Sequence, residues 1–405
     1  MRLVLAFPKI VKRNIFILSC CQALSMTGAS LIITMSALAG QSLAPSPSLA
    51  TLPIAIQFLA TMVSTVPASF LMGAVGRRIG FSIGQVIGLI GAAGSMYAIW
   101  SGNFWFFATS SALIGAHNAF WQYYRFAASE TAGPEFRAKA VSYVLFGGVF
   151  AAIAGPQLAK ISNELFSPVL FMGGYLVVVG LTLITVIVLQ TIQIPATKKI
   201  GVYFSGRPLL MIIKQPKFIL AVMSGMFGYG MMSLVMTATP LAMQFCGFNF
   251  SETATVIQWH ALAMFAPSFF TGTLIQRFGA VNIIIVGSIL NLACMVINFL
   301  GITFPHFILG LVLLGLGWNF MFIGGTTLLT ETYRSDEQSK VQAVNDFAVF
   351  TTVAISSLCS GILQAKLGWS FVNAVILAPM VIVIATAIWV YQFLIKEKKS
   401  FKKQI

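Results

Sequence analysis

SFLMGAVGRRIG, residues 69–80, returns 199 positions later as SFFTGTLIQRFG, residues 268–279. Serine, phenylalanine, glycine, arginine and glycine recur at identical spacing. SLIIT at 30–34 returns as SLVMT at 233–237, an offset of 203. Asn118, Glu130-Thr131 and Lys139 return as Asn319, Glu331-Thr332 and Lys340, an offset of 201. Each match is short, but three in chain order at a nearly constant offset mark an internal duplication.

What is duplicated is membrane-like. Of 405 residues 58% are hydrophobic and only 8% charged, and mean hydropathy is +0.92, against about 25% charged residues in a soluble domain. A spanning helix needs roughly 20 mostly apolar residues. Twelve such segments are predicted, at 15–38, 52–75, 80–100, 104–128, 141–160, 168–191, 218–241, 253–275, 281–301, 305–329, 341–364 and 370–395. The runs are continuously apolar rather than alternating, which excludes a closed barrel. The expected fold is an all-α polytopic membrane protein with twelve transmembrane helices in two pseudo-symmetric six-helix bundles. The bundles cover 1–191 and 218–405, the second with a basic cytoplasmic tail, and 192–217 is a basic, proline-bearing cytoplasmic linker. Six is even, so both copies enter the membrane from the same side and the repeat is parallel.

Charge orients the chain. With the N-terminus in the cytoplasm, 21 Lys/Arg fall on cytoplasmic segments, and Lys160 and Lys366 alone fall outside, Arg125 being left within a span. That asymmetry puts both termini in the cytoplasm and accounts for the net charge of +15 without nucleic acid. The tail KEKKSFKK is expected near anionic lipid headgroups. The five cysteines, Cys20, Cys21, Cys246, Cys294 and Cys359, show neither metal spacing nor a disulfide framework. The first apolar run is too long, and lacks a processing site, for a cleavable signal peptide.

Twelve spans, a 6+6 duplication and a Gly-x-x-x-x-Arg-x-Gly turn resemble the major facilitator superfamily along essentially the whole chain. Gly73, Arg78 and Gly80, then Gly272, Arg277 and Gly279, match its loop signature; Arg77 and Gln276 stand at the acidic position. YRFAASETAGPEFRAKAVSYVLFGGVFAAIAGPQLA and TATPLAMQFCGFNFSETATVIQWHALAMFAPSFFTG are similar to a bacterial subgroup that includes riboflavin importers. The resemblance implies a bacterial inner-membrane carrier in which spans 1, 4, 7 and 10 line a central cavity open to one side at a time.

On span 4, Asn118, Gln122 and Arg125 fall at i, i+4 and i+7, with His117, Trp121 and Tyr124 as an adjacent stripe. This polar and aromatic wall suits a planar ring with hydrogen-bonding edges, or an anionic group for the guanidinium. Arg125 could equally snorkel to the interface, and the tyrosines could belong to an aromatic belt. On span 10, Trp318 and Asn319 head a comparable stripe; Asn319 could face Asn118 across the cavity or bond within its own bundle. Gln22 and Tyr229 are the polar candidates on spans 1 and 7, with plain packing the alternative for Tyr229. His260 is either a satisfied hydrogen bonder or a ligand or proton contact. Asp346, the one acid expected within a span, could take Arg77 or Arg78 as a cytoplasmic latch, could simply stabilise a helix N-terminus, or could carry a proton; Arg277 is the matching loop arginine. Gly147, Ala151, Gly155 and Pro156 form a small-residue face, read either as an efflux marker or as packing against span 8.

These features point to a secondary transporter of a small organic solute by alternating access, monomeric and without cofactor or metal. Uptake of a flavin-like or other planar nutrient competes with proton-coupled efflux of drug-like or siderophore-like compounds. A transporter-like sensor is the alternative of another class. An enzyme or ATP-driven pump is not expected, because no nucleotide, zinc or carboxylate-pair motif occurs in the loops.

Overall fold

A computed structural model describes residues 9–132, 137–193, 206–334 and 337–404, and among these every regular element is helical. Contacts divide the chain into two compact units, Met1–Gly201 and Val202–Ile405. Unit 1 holds α1 (Lys9–Leu43), α2 (Leu52–Val75), α3 (Arg77–Trp100), α4 (Phe104–Trp121), α5 (Tyr124–Ala132), α6 (Arg137–Ser162) and α7 (Met172–Leu189). Unit 2 holds α8 (Leu209–Ile213), α9 (Pro216–Phe245), α10 (Phe250–Phe265), α11 (Ser268–Phe278), α12 (Ala280–Leu300), α13 (Phe304–Thr330), α14 (Gln338–Ala374) and α15 (Leu377–Gln404).

Among the described residues, eight helical stretches are long and apolar enough to cross a membrane, and one of them, Lys340–Lys396, contains both of the last two expected spans. Two of the other expected spans are broken. Span 4 stops at Trp121 and resumes at Tyr124; span 8 stops at Phe265 and resumes at Ser268, beside Pro267. In α14 the chain turns at Gly368, φ 76°. Large apolar side chains point outward in number, Phe16 at 70% exposed and Phe245 at 89% among them. Water would penalise such a surface and acyl chains do not.

The two units share one pairing diagram. In unit 1, α1 packs on α6 and α7, α4 on α2 and α3, and α3 on α7. In unit 2, α9 packs on α14 and α15, α13 on α10 and α12, and α12 on α15. Matching contacts fix the register of the duplication more finely than letters do. A Cβ on Gly115 would strike the Gln57 carbonyl and Ala60; one on Gly315 would strike the His260 carbonyl and Ala263. Gln57 and Ala60 therefore answer to His260 and Ala263, at an offset of 203, while Gly115 answers to Gly315, at an offset of 200. Small residues here let helices approach backbone to backbone.

The offset of 203 runs on to the turn. Gly76 (φ 87°, ψ 158°) joins α2 to α3, and Gly279 (φ 84°, ψ 149°) joins α11 to α12. Both occupy a region of backbone space open essentially to glycine alone. The letter match that pairs Gly80 with Gly279 is thus displaced by four residues, about one helical turn. Arg77 and Arg78 begin α3 beyond the turn, whereas Arg277 ends α11 before it.

Candidate functional site

In unit 1 the expected polar wall is only partly assembled. Because α4 ends at Trp121 and α5 starts at Tyr124, Asn118, Gln122 and Arg125 do not lie along one continuous helical face. Asn118 is half-buried and its Oδ1 accepts from Trp121 Nε1 at 2.9 Å. Trp121, Gln122 and Arg125 are half-buried, and the Arg125 guanidinium lies 4.9 Å over the Phe126 ring.

Tyr124 and His117 lie deeper than that wall requires. Tyr124 is 1% exposed, edge-on to Phe81 at 4.7 Å, and its hydroxyl accepts from Gln85 Nε2 at 2.7 Å. Gln85 Nε2 also reaches Ser25 Oγ at 3.0 Å, so the trio ties α1, α3 and α5 together. His117 Nδ1 lies 3.0 Å from the Gly84 carbonyl, and its ring occupies the space that Gly88 leaves. A carbonyl only accepts, so Nδ1 carries the proton and Nε2 the lone pair. Gln22 is 3% exposed, and its Oε1 has no hydrogen-bond partner. A narrow crevice of about 10 Å³ is lined by Ser25, Gln85, His117, Asn118, Thr182 and Thr185, room for roughly one water. Gln85, which sequence reasoning missed, anchors it; its Oε1 also lacks a partner.

In unit 2 the helix contacts overturn the pairing of Asn118 with Asn319. The two spans start at Phe104 and Phe304, and with Gly115 matched to Gly315 the counterpart of Asn118 is Trp318. One residue of displacement rotates a helical side chain by about 100°. Asn319 is fully buried: its Oδ1 accepts from Thr271 Oγ1 at 2.6 Å, and its Nδ2 donates to the Met264 carbonyl at 2.7 Å and Ser268 Oγ at 2.8 Å. Those bonds tie α13 to the broken α10–α11 span and use both amide protons within the unit. His260 is likewise fully buried, with Nδ1 2.7 Å from the Leu311 carbonyl and Nε2 unpartnered.

Tyr229 and Trp318, by contrast, meet. Their ring centroids are 5.4 Å apart, and Phe322, one turn beyond Trp318, stacks on it at 5.0 Å with 10° between planes. Trp318 is 7% exposed, and its indole N–H has no acceptor.

The gating candidates make contacts within their own units. Arg77 sits 5.8 Å over the Tyr123 ring; Arg78 Nη2 donates to Gln190 Oε1 at 3.2 Å; Arg277 lies 5.2 Å over Phe278. Asp346 is exposed on α14, and its Oδ1 accepts from Asn345 Nδ2 at 3.1 Å. The small-residue face of α6 packs on α1: a Cβ on Gly147 would meet Ala23, and one on Gly155 would meet Ser30.

A second charged centre escaped sequence reasoning altogether. Glu337, fully buried between α13 and α14, takes Arg207 N at 2.7 Å and Nε at 2.9 Å on one oxygen, and Arg207 Nη2 at 2.7 Å and Arg334 N at 2.9 Å on the other. Arg207 Nη2 and Gln215 Nε2 both donate to the Thr332 carbonyl, and Lys340 Nζ donates to the Arg207 carbonyl at 2.6 Å. Lys217 pairs with Glu331 at 2.6 Å. The Arg207 guanidinium, helped by the two backbone N–H groups, holds the Glu337 carboxyl well below the usual carboxylate range. The only available signal was scarcity: Glu337 is one of nine acids in 405 residues.

Comparison with known proteins follows the same lines. A riboflavin transporter of Brucella anthropi, RfnT, is 37% identical over 380 residues, covering 92% of this chain and 96% of that protein. Two uncharacterized MFS-type transporters of Bacillus subtilis, YdeG and YddS, are 28% and 27% identical over 371 and 405 residues, covering 87% and 95% of this chain and 86% and 92% of those proteins. The model of the Major Facilitator Superfamily matches residues 18–300 and 220–404. With its all-helical duplicated architecture, the chain belongs to the major facilitator superfamily.

Proposed function

We propose that this protein is a secondary transporter that takes up riboflavin or a closely related flavin across a bacterial inner membrane by alternating access. The observation that carries the reading is the 37% identity to a riboflavin transporter over nearly the full length of both chains. In this reading the bundles 1–191 and 218–405 rock about the 192–217 linker, both termini are cytoplasmic, and the monomer is the working unit. Gln22, Asn118, Trp121, Gln122 and Arg125 of unit 1, with Tyr229 and Trp318 of unit 2, contact the solute. The buried, bonded His117, Tyr124, His260 and Asn319 shape that site from behind. Asp346 serves as the acceptor for Arg77 or Arg78 when the cytoplasmic side is closed.

Proteoliposomes holding the purified protein, with and without an imposed pH gradient, test this directly. Saturable accumulation of labelled riboflavin, competed by unlabelled riboflavin, is expected. Absence of uptake together with riboflavin-independent extrusion of other solutes would overturn it.

A further inference from the structure

Five rings of unit 2 converge: Tyr229 from α9, Phe265 from α10, Trp318 and Phe322 from α13, and Phe350 from α14. Trp318 and Phe322 lie parallel, 10° apart in plane at 5.0 Å. Tyr229 stands edge-on to both, at 5.4 and 5.7 Å; Phe265 is 6.1 Å from Trp318, and Phe350 is 6.2 Å from Tyr229. Offset and edge-on pairs are what apolar packing produces by itself. Two observations take this cluster further.

The first is the Trp318 indole N–H, buried and without an acceptor. Buried donors are nearly always satisfied, so an orphan marks a place where something else supplies the acceptor. The second is graded exposure. Other rings of unit 2 are wide open, Phe269 at 67% and Phe347 at 62%. Tyr229, Phe265, Phe322 and Phe350 are only half-buried. They belong to a face that is neither open nor sealed, on helices of which α9 and α13 are among the most enclosed of the described residues.

We propose that this cluster is the ring-binding platform of the transporter. The planar heteroaromatic part of the solute stacks along the Trp318–Phe322 pair, and an edge carbonyl or ring nitrogen of the solute accepts the Trp318 Nε1–H. None of the five side chains offers a charge to pair with an ionic group, so the platform takes the flat ring by stacking and leaves any polar chain of the solute to other residues. The inference rests on the flavin reading for the identity of the ring, and on geometry alone for the place where it binds.

The test uses full-length protein in detergent and the quenching of riboflavin fluorescence on binding. Trp318→Phe keeps the stack and deletes the donor; Phe322→Leu keeps the donor and deletes the stack. Each is expected to weaken riboflavin binding about tenfold, the worth of one such contact, with the melting temperature of the free protein used to show that the variant is folded. Lumichrome, the ring without its polar chain, is expected to compete in the wild type and to lose affinity in both variants in the same proportion. Riboflavin bound with unchanged affinity by both folded variants would overturn the platform and leave the flavin reading standing. No riboflavin binding by the wild type, but binding of a pterin or purine that is lost in Trp318→Phe, would overturn the flavin reading and support the platform. If no planar ligand binds the wild type, both fall.

Discussion

Asn118 and Asn319 carry the same letter in both halves of the chain and do different work. Asn319 holds three hydrogen bonds inside unit 2; Asn118 is half-buried beside a water-sized crevice. Asn319→Ala leaves the Met264 carbonyl and the Ser268 hydroxyl short of a donor, so we expect a loss of roughly 1–3 kcal/mol in stability with KM unchanged in the folded protein. Asn118→Ala should do the reverse, raising KM by about tenfold, the worth of one hydrogen bond, with little change in melting temperature. Thermal denaturation and uptake kinetics on the same preparations separate the two. Sequence made Asn118, Trp318 and Tyr229 legible as polar or aromatic residues in apolar spans. It left the register open, because a displacement of one residue turns a helical side chain through about 100° while hardly altering a letter match. Gln85 was invisible for a related reason: nothing in its neighbourhood reveals that its amide would meet Ser25 and Tyr124 from two other helices.

At the scale of the element, the stretches 73–80 and 272–279 contain two kinds of glycine. Nothing lies within 4 Å of a Cβ placed on Gly73 or Gly272. Gly76 and Gly279 have φ of 87° and 84°. Gly73→Ala should be neutral or stabilising by about 0.5–1 kcal/mol, the helix cost of glycine; Gly76→Ala and Gly279→Ala should each cost about 1–3 kcal/mol. Chemical denaturation of the three variants ranks them, and equal losses would contradict the turn assignment. The helices themselves were readable from length and apolarity, down to most of their ends. The breaks at Gln122–Tyr123 and Ala266–Pro267 were not, since a break in a span depends on the partners that take up the freed backbone groups. The Arg207–Glu337 clasp is also an element-scale device, tying the segment before α9 to the α13–α14 turn. Its carboxyl is held below its ordinary value of 4.5. The stability it confers is therefore complete above that value and lost as pH falls below it toward the folded-state pKa. Wild-type melting temperature should include an acid loss over that window which is missing from Glu337→Gln, and Glu337→Gln should already melt lower at pH 7.

For the whole molecule, the orientation proposed above rests on the distribution of charge: in that topology 21 Lys/Arg lie on the cytoplasmic side against two on the other. With six spans in each half, as the sequence predicts, both halves of the duplication would begin on the side where the chain begins. Gly76 and Gly279 are single-residue turns between helices, which the proposed topology puts on the basic side, and residues 101–103, which join α3 to α4, fall on the other side in that proposal. Ser101 and Gln193 are both exposed and fall on opposite sides of the membrane in this topology. In a background with the five native cysteines replaced, Ser101→Cys should react with a membrane-impermeant maleimide in intact cells, while Gln193→Cys should react only after the cells are opened. The reverse pattern would invert the molecule and move the Arg207–Glu337 clasp, the Asp346 latch and the basic tail to the outside together. Labelling of both positions from one side would break the parallel repeat itself, because an odd number of crossings would then be missing between α3 and the end of unit 1.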